Sequence, residues 1–151
     1  MNVSYLEGIS LFSSLSLAER ELLCQVAHSF LQVEEGEKVI REGEAGGALF
    51  VILQGSATVT KGKEGEETVL ARLAQGDSFG EMSFLTKKTR STNVVVDEPS
   101  LILKMDERLF DNLNPLICNK IKDHIIDLLV QRLDKMNQTL AMLVRYAPKH
   151  G

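Results

Sequence analysis

The sequence has no tryptophan and only two tyrosines, three prolines, three histidines and two cysteines in 151 residues. These scarcities exclude several classes of protein. Cys24 and Cys118 lie far apart and neither belongs to a CxxC pair. No disulfide framework or zinc site is expected, and a reducing cytoplasm fits. His28, His124 and His150 do not cluster, and none lies in the glycine-punctuated middle of the chain. A barrel enzyme with converging histidine ligands is therefore a poor match. No Ser/His/Asp or Cys/His arrangement and no Walker loop appears, so the chain reads as a non-enzyme with no cofactor and no metal. The opening MNVSYLEGIS has no basic region and no apolar run, so no signal peptide is expected. No stretch approaches the roughly 20 apolar residues of a membrane span. An excess of positive charge is also missing: 17 basic against 21 acidic residues leave a net charge of −4. That argues against broad binding to nucleic acid or anionic membranes, while leaving room for a local basic pocket.

What is present reads as one domain, residues 1–151, with 44% hydrophobic and 25% charged residues and enough length for a core. An N-terminal helical part covers about 11–30. Ser16 and Glu19 form a capping box, and Leu17, Leu22, Leu23, Val26, Ala27 and Phe30 recur at helical spacing. The pattern predicts a helix over about 17–29, with Phe12 packed on the same core. From 32 to 105 short β-prone runs alternate with glycines: 38–40, 48–53, 57–61, 68–73, 93–96 and 100–105. Short strands with regular turn signals predict a sandwich or barrel. Residues 61–67 alternate in charge and read as a solvated hairpin loop.

From 106 to 146 the chain turns helical. Asp106 caps a short helix through about Leu113. Asn114 and Pro115 start a long one that runs to about Val144, with Pro148 as its stop. The long helix carries two apolar stripes. Ile117, Ile121, Ile125 and Leu128 read as the face on the β-core. Ile126, Leu129, Leu133, Met136, Leu140 and Leu143 follow steps of 3, 4, 3, 4 and 3, a coiled-coil seam. One helix must bury both stripes, which favours a homodimer through the second; packing of both stripes within one chain is the alternative.

The stretch from Asp77 to Val96 carries the chemistry. Phe79-Gly80-Glu81 sets a carboxylate directly after a glycine. Arg90-Ser91-Thr92 sets a guanidinium and two hydroxyls directly before a β-branched run, eleven residues after Phe79. If the segment between them folds back as a helical turn and a loop, the two clusters face each other. An acceptor at one end suits a ribose hydroxyl. A charged fork with hydroxyl donors at the other suits a phosphate, which arginine can match with two donors and lysine cannot. Glu81, an acceptor only, would favour ribose over deoxyribose; it could instead, or as well, pair with Arg90. Gly80 allows close approach or positive φ, and the amides of Met82 and Ser83 can face an anion. Gly76 reads more simply as a turn, and Lys87 and Lys88 as solvated.

This stretch resembles the phosphate-binding cassette of the cyclic nucleotide-binding domain family, of the catabolite activator protein and protein kinase A regulatory-subunit type. The likeness extends from about Leu11 to Leu143. It implies an α+β, mainly β fold: a jelly-roll β-barrel with an N-terminal helix and C-terminal helices, the last one long. It implies a cyclic mononucleotide as ligand, cAMP with cGMP as the other choice, bound by Phe79, Gly80, Glu81, Met82, Ser83, Arg90, Ser91 and Thr92. In the family the residue after the arginine often touches the phosphate, and Ser91 fits that role. Thr92 stands where alanine is common and Thr89 where proline often precedes the arginine, which bears on the stiffness of the loop. The last helix would act as lid over the base, with Arg132, Met136 and Asn137 in reach, and as dimer seam, as in the catabolite activator protein. The role implied is a regulatory sensor that works by population shift. A transcription regulator would need a helix-turn-helix after the seam. Only eight residues follow Leu143, so no DNA-binding domain is expected in this chain unless it is a fragment. A degenerate interaction domain or a reader of a cyclic dinucleotide is the remaining alternative, and Glu81 and Arg90 weigh against it.

Overall fold

A computed structural model describes residues 2–147; the expected stop at Pro148, and His150, lie outside the described residues. Two short 3-10 turns, Val3–Leu6 and Ser10–Phe12, lead into α1, Leu17–Val26. Ser16 caps α1, in agreement with its spacing: its hydroxyl accepts from the Glu19 amide and the Glu19 carboxylate accepts from the Ser16 amide. The helix ends earlier than expected. Ala27 leaves it in an extended conformation (φ −64°, ψ 125°), and Phe30, whose spacing also suits the helix, begins a strand instead.

The strands are β1 Phe30–Val33, β2 Lys38–Ile40, β3 Leu49–Gln54, β4 Ala57–Lys61, β5 Thr68–Leu73, β6 Ser78–Phe79, β7 Asn93–Val96 and β8 Ser100–Met105. They form two antiparallel four-stranded sheets, in the orders β1-β8-β3-β6 and β2-β7-β4-β5. The architecture is the expected mainly-β one with flanking helices, but the sheets do not close into a barrel. No ladder joins one sheet to the other among the described residues. The chain crosses between them at sharp turns. At one of these Gly55 has φ +105°, and a Cβ there would meet the Ser100 side chain; only glycine fits.

β1 and β6 go beyond the strands that the sequence pattern announces. β1 pairs Phe30 with Leu103 and Val33 with Ser100, and β6 has only two residues, too few for any alternation to show. The packing of β3 explains its unbroken apolar run. Leu49, Val51 and Leu53 face a core shared with Leu11, Phe12, Leu23, Ile117, Ile121 and Ile125. Phe50 and Ile52 face the space between the sheets, with Ile40, Val94, Val96 and Ile102. A strand covered on both faces loses the polar alternation of a half-exposed one.

Three helices complete the chain. α2, Glu81–Thr86, lies between β6 and β7. α3, Glu107–Asp111, follows β8 and is capped by the Asp106 carboxylate on the Leu109 amide; it stops at Asn112, short of the expected Leu113. α4, Pro115–Tyr146, begins with Asn114 as cap and Pro115 in its first turn. Ile117, Ile121 and Ile125 are buried, as expected of the inner stripe, but Leu129 rather than Leu128 continues their packing on the core. Two polar ties fix this half of α4 to the N-terminal part: Lys120 Nζ to Glu19 Oε1 at 2.7 Å and His124 Nε2 to Ser10 Oγ at 3.1 Å. Beyond residue 130 every described residue is exposed. No helix among the described residues is long and apolar enough to cross a membrane.

Candidate functional site

The site begins with β6. Pairing of Phe79 with Phe50 and of Ser78 with Val51 fixes the start of the cassette on β3, and the Phe50 and Phe79 rings stack at 5.2 Å. Gly80 follows with φ +83°. A Cβ on it would lie 2.9 Å from Arg90 Nη1 and 3.1 Å from the Ala48 carbonyl oxygen. Both the backbone conformation and the space therefore call for glycine. α2 then turns the chain back, ending at Lys87 in the left-handed region (φ 60°). Its first-turn amides have no carbonyl ahead of them in the helix.

Arg90 is held from both sides of its backbone. Its amide donates to the Glu44 carbonyl and its carbonyl accepts from the Gly43 amide, each at 2.8 Å. The residue is 7% exposed. Nη1 donates to the Gly80 carbonyl at 3.1 Å and Nη2 to the Ala48 carbonyl at 2.8 Å, and the fork lies 5.6 Å from the centre of the Phe50 ring. Burial pulls its pKa below the ordinary arginine value. Among the described residues no carboxylate forms an ion pair with it. A guanidinium has five N–H groups, so donors remain after these two bonds, and the charge is buried without a compensating anion.

The alternative of a Glu81–Arg90 pair is not what the structure shows. Glu81, 5% exposed, accepts a hydrogen bond from the Ser78 hydroxyl at 3.0 Å and forms an ion pair with Arg132, Nη1 at 3.1 Å, both on Oε1. The Arg90 fork is turned instead toward the two carbonyls. Arg132 lies on α4, so the last helix reaches the site through this contact.

Phe79, Gly80, Glu81, Met82, Ser83, Arg90, Ser91 and Thr92 all line one cavity of about 530 Å³, together with Arg132. The opposite wall is mainly apolar, with Ile40, Val59, Ala71, Leu73 and Val94, and carries Arg72 between Ala71 and Leu73. Acceptor and cation thus stand on the cassette side and a hydrophobic surface faces them. Met136 and Asn137 do not line this cavity, and Met136 is 63% exposed. The reason is geometric: at about 1.5 Å per residue, α4 has moved roughly one turn further out between Arg132 and Met136. Gly76 keeps its simple turn role, its amide donating to the Ile52 carbonyl at 2.8 Å. Lys87 sits over the Phe84 ring at 5.1 Å.

Sequence reasoning alone does not single out the wall residues, Ser78 or Arg72. Val59 and the Ala71/Leu73 pair fall on alternate positions of β4 and β5, but which cavity they face depends on the pairing of Ala57 with Leu73 and Val59 with Ala71. A second cavity of about 500 Å³ lies beyond Arg90, lined by Arg41, Glu44, Lys87, Lys104, Asp106 and Glu107 among others. There cations and carboxylates offset each other, with Arg41 and Glu44 at 3.7 Å, so it is the less suited of the two to an anion. Among the described residues no cluster of His, Cys, Asp and Glu could hold a metal ion.

The profile of the "Cyclic nucleotide-binding domain" family matches residues 30–114. The chain is 36% identical over 114 residues to a cAMP-dependent protein kinase regulatory subunit of Mycosarcoma maydis, covering 72% of this chain and 22% of that protein. It is 34% identical over 131 residues to cGMP-dependent protein kinase, isozyme 1, of Drosophila melanogaster, covering 82% of this chain and 16% of that protein. The chain therefore spans about a fifth of the length of these curated relatives. Among solved structures, the catabolite activator protein of Thermus thermophilus superposes with a TM-score of 0.78 at 26% identity, over 89% of this chain and 63% of that one.

Proposed function

This chain belongs to the cyclic nucleotide-binding domain family, and we propose that its cavity receives one cyclic mononucleotide, cAMP, as the signal of a regulatory module. The observation that carries the reading is Arg90. A buried guanidinium satisfied only by neutral carbonyls is costly, and a singly charged cyclic phosphate in the adjoining cavity would compensate it. Ser91 and Thr92 stand beside it with hydroxyl donors. Glu81 lies across the cassette as acceptor for a ribose hydroxyl. The apolar wall of Val59, Ala71 and Leu73 gives the base and sugar a surface to lie on. Arg72, between Ala71 and Leu73 in the lining, is the polar side chain on that wall, and guanine enters as the competitor, as the similarity to both kinds of kinase also counsels.

In this reading α4 is lid and dimer seam. Arg132 is its link to the cavity, and ligand binding alters the position of the helix through that link. Ile126, Leu133, Met136, Leu140 and Leu143 are between 51% and 66% exposed. They form the outer stripe of α4, for which a second copy is the proposed cover.

Calorimetric titration of cAMP, cGMP and a cyclic dinucleotide, beside an Arg90→Ala control, tests the reading. Micromolar or tighter binding of a mononucleotide that collapses in the control is expected. Folded, nucleotide-free protein that binds none of them would point to a domain that kept the fold and lost the ligand.

A further inference from the structure

Glu81 uses only one of its two oxygens toward the protein. The Ser78 hydroxyl, at 3.0 Å, and Arg132 Nη1, at 3.1 Å, both meet Oε1. Oε2 takes no hydrogen bond from the described residues. An ionised carboxylate can only accept, so the direction of the Ser78 contact is forced: the serine donates. Ser78 is itself immobilised. It is 4% exposed and paired with Val51 in β6, and the residue before it accepts at its carbonyl from the Ile52 amide at 2.9 Å. Arg132, by contrast, has a side chain 47% exposed and touches Glu81 through one nitrogen.

We propose that Ser78 is a positioning residue that commits Oε1 of Glu81 to the protein and reserves Oε2 for the ribose 2′-hydroxyl of the ligand. This role rests on the cyclic mononucleotide reading above and adds a residue to it. The terminal torsion of a glutamate is broad and roughly two-fold. Without the Ser78 hydroxyl the carboxylate is free to rotate and close on Arg132 with both oxygens, the geometry arginine and carboxylate favour. The acceptor for the sugar would then be spent on the helix. With Ser78 in place, Arg132 is limited to a single contact. A ligand lacking the 2′-hydroxyl leaves Oε2 buried and unpaired, and that penalty is the source of discrimination.

The test is titration of cAMP and 2′-deoxy-cAMP into wild-type protein, Ser78→Ala and Ser78→Cys. Cysteine keeps nearly the side-chain volume with a weak donor, so the same readout survives if alanine loosens β6; thermal melts check that each variant is folded. Wild type is expected to prefer the ribose ligand by about tenfold or more, the effect of one hydrogen bond to a charged group. Ser78→Ala is expected to lose most of that ratio, chiefly through weaker cAMP binding, with Ser78→Cys between the two. A folded Ser78 variant that keeps the wild-type ratio, or that weakens both ligands equally, overturns the proposal, because a merely structural serine would do just that. Wild type that binds both ligands equally overturns it while leaving the ligand class intact. Wild type that binds neither removes the underlying reading, and the role of Ser78 with it.

Discussion

Arg132 Nη1 stands 3.1 Å from Glu81 Oε1, joining a half-exposed residue of α4 to a carboxylate that is almost fully buried in the cassette. The inner half of α4 is fixed by Ile117, Ile121 and Ile125 and by the ties of Lys120 and His124. Past Leu129 the helix has little else to hold it, so this ion pair is its contact with the cavity. Ligand that engages Glu81 is therefore expected to be felt in α4. Hydrogen exchange of α4 amides beyond Leu128 is expected to slow on saturation with cAMP in wild type and to be nearly insensitive to ligand in Arg132→Ala. An unchanged pattern in wild type would remove the lid role from α4.

Arg90 makes the sharper prediction about affinity. Charge-assisted hydrogen bonds contribute about 1.5–3 kcal/mol each, so losing the fork weakens cyclic mononucleotide binding at least about tenfold to a hundredfold. Arg90→Lys keeps the charge but loses the planar pair of donors, and with them the bonds to Gly80 and Ala48. It is expected to recover little of the affinity. Calorimetry that found Arg90→Lys equal to wild type would show that charge alone, without the fork, holds the anion.

Gly80 links the fold to the site. It has φ +83°, and a methyl carbon added there would fall 2.9 Å from Arg90 Nη1. Gly80→Ala therefore incurs left-handed strain of about 1–2 kcal/mol and also displaces the Arg90 fork. Denaturant unfolding is expected to show a loss of at least that size, and titration a loss of ligand binding larger than the stability change accounts for. Full retention of binding would mean that Arg90 meets its ligand from a different rotamer than the one seen.

The pattern of residues makes some parts of this molecule readable and hides others for physical reasons. The cassette is legible because its chemistry is local: Phe79 to Thr92 is one short stretch, and glycine, carboxylate and guanidinium each have few substitutes. The caps at Ser16, Asp106 and Asn114 are legible for the same reason. Strand β1 is not, because Phe30 satisfies a helical period as well as a strand that pairs with Leu103. The partner of Glu81 is not legible either. Whether it pairs with Arg90 or Arg132 depends on where α4 crosses the cassette, and the phase of a helix with apolar residues on two faces cannot be read from its spacing alone. Ser78 escapes notice because a serine three residues before a glutamate is ordinary until both are buried.

The outer stripe of α4 yields the last prediction. Leu133, Met136, Leu140 and Leu143 are each more than half exposed, and their 3–4 spacing matches a left-handed helix pair. A single α4 leaves this stripe in water, whereas two copies side by side bury it at about 25 cal/mol for each Å² of apolar surface. Leu140 lies about two turns beyond Arg132 and does not line the cavity, so a charge there separates assembly from ligand contact. Leu140→Glu puts like charges on facing helices and is expected to turn a dimer into a monomer in sedimentation equilibrium. Its affinity for cAMP then reports the coupling. A fall of several-fold would mean that the second copy helps to close the lid, and an unchanged value would mean that seam and cavity act independently. Wild type that sediments as a monomer at high micromolar concentration would refute the seam outright.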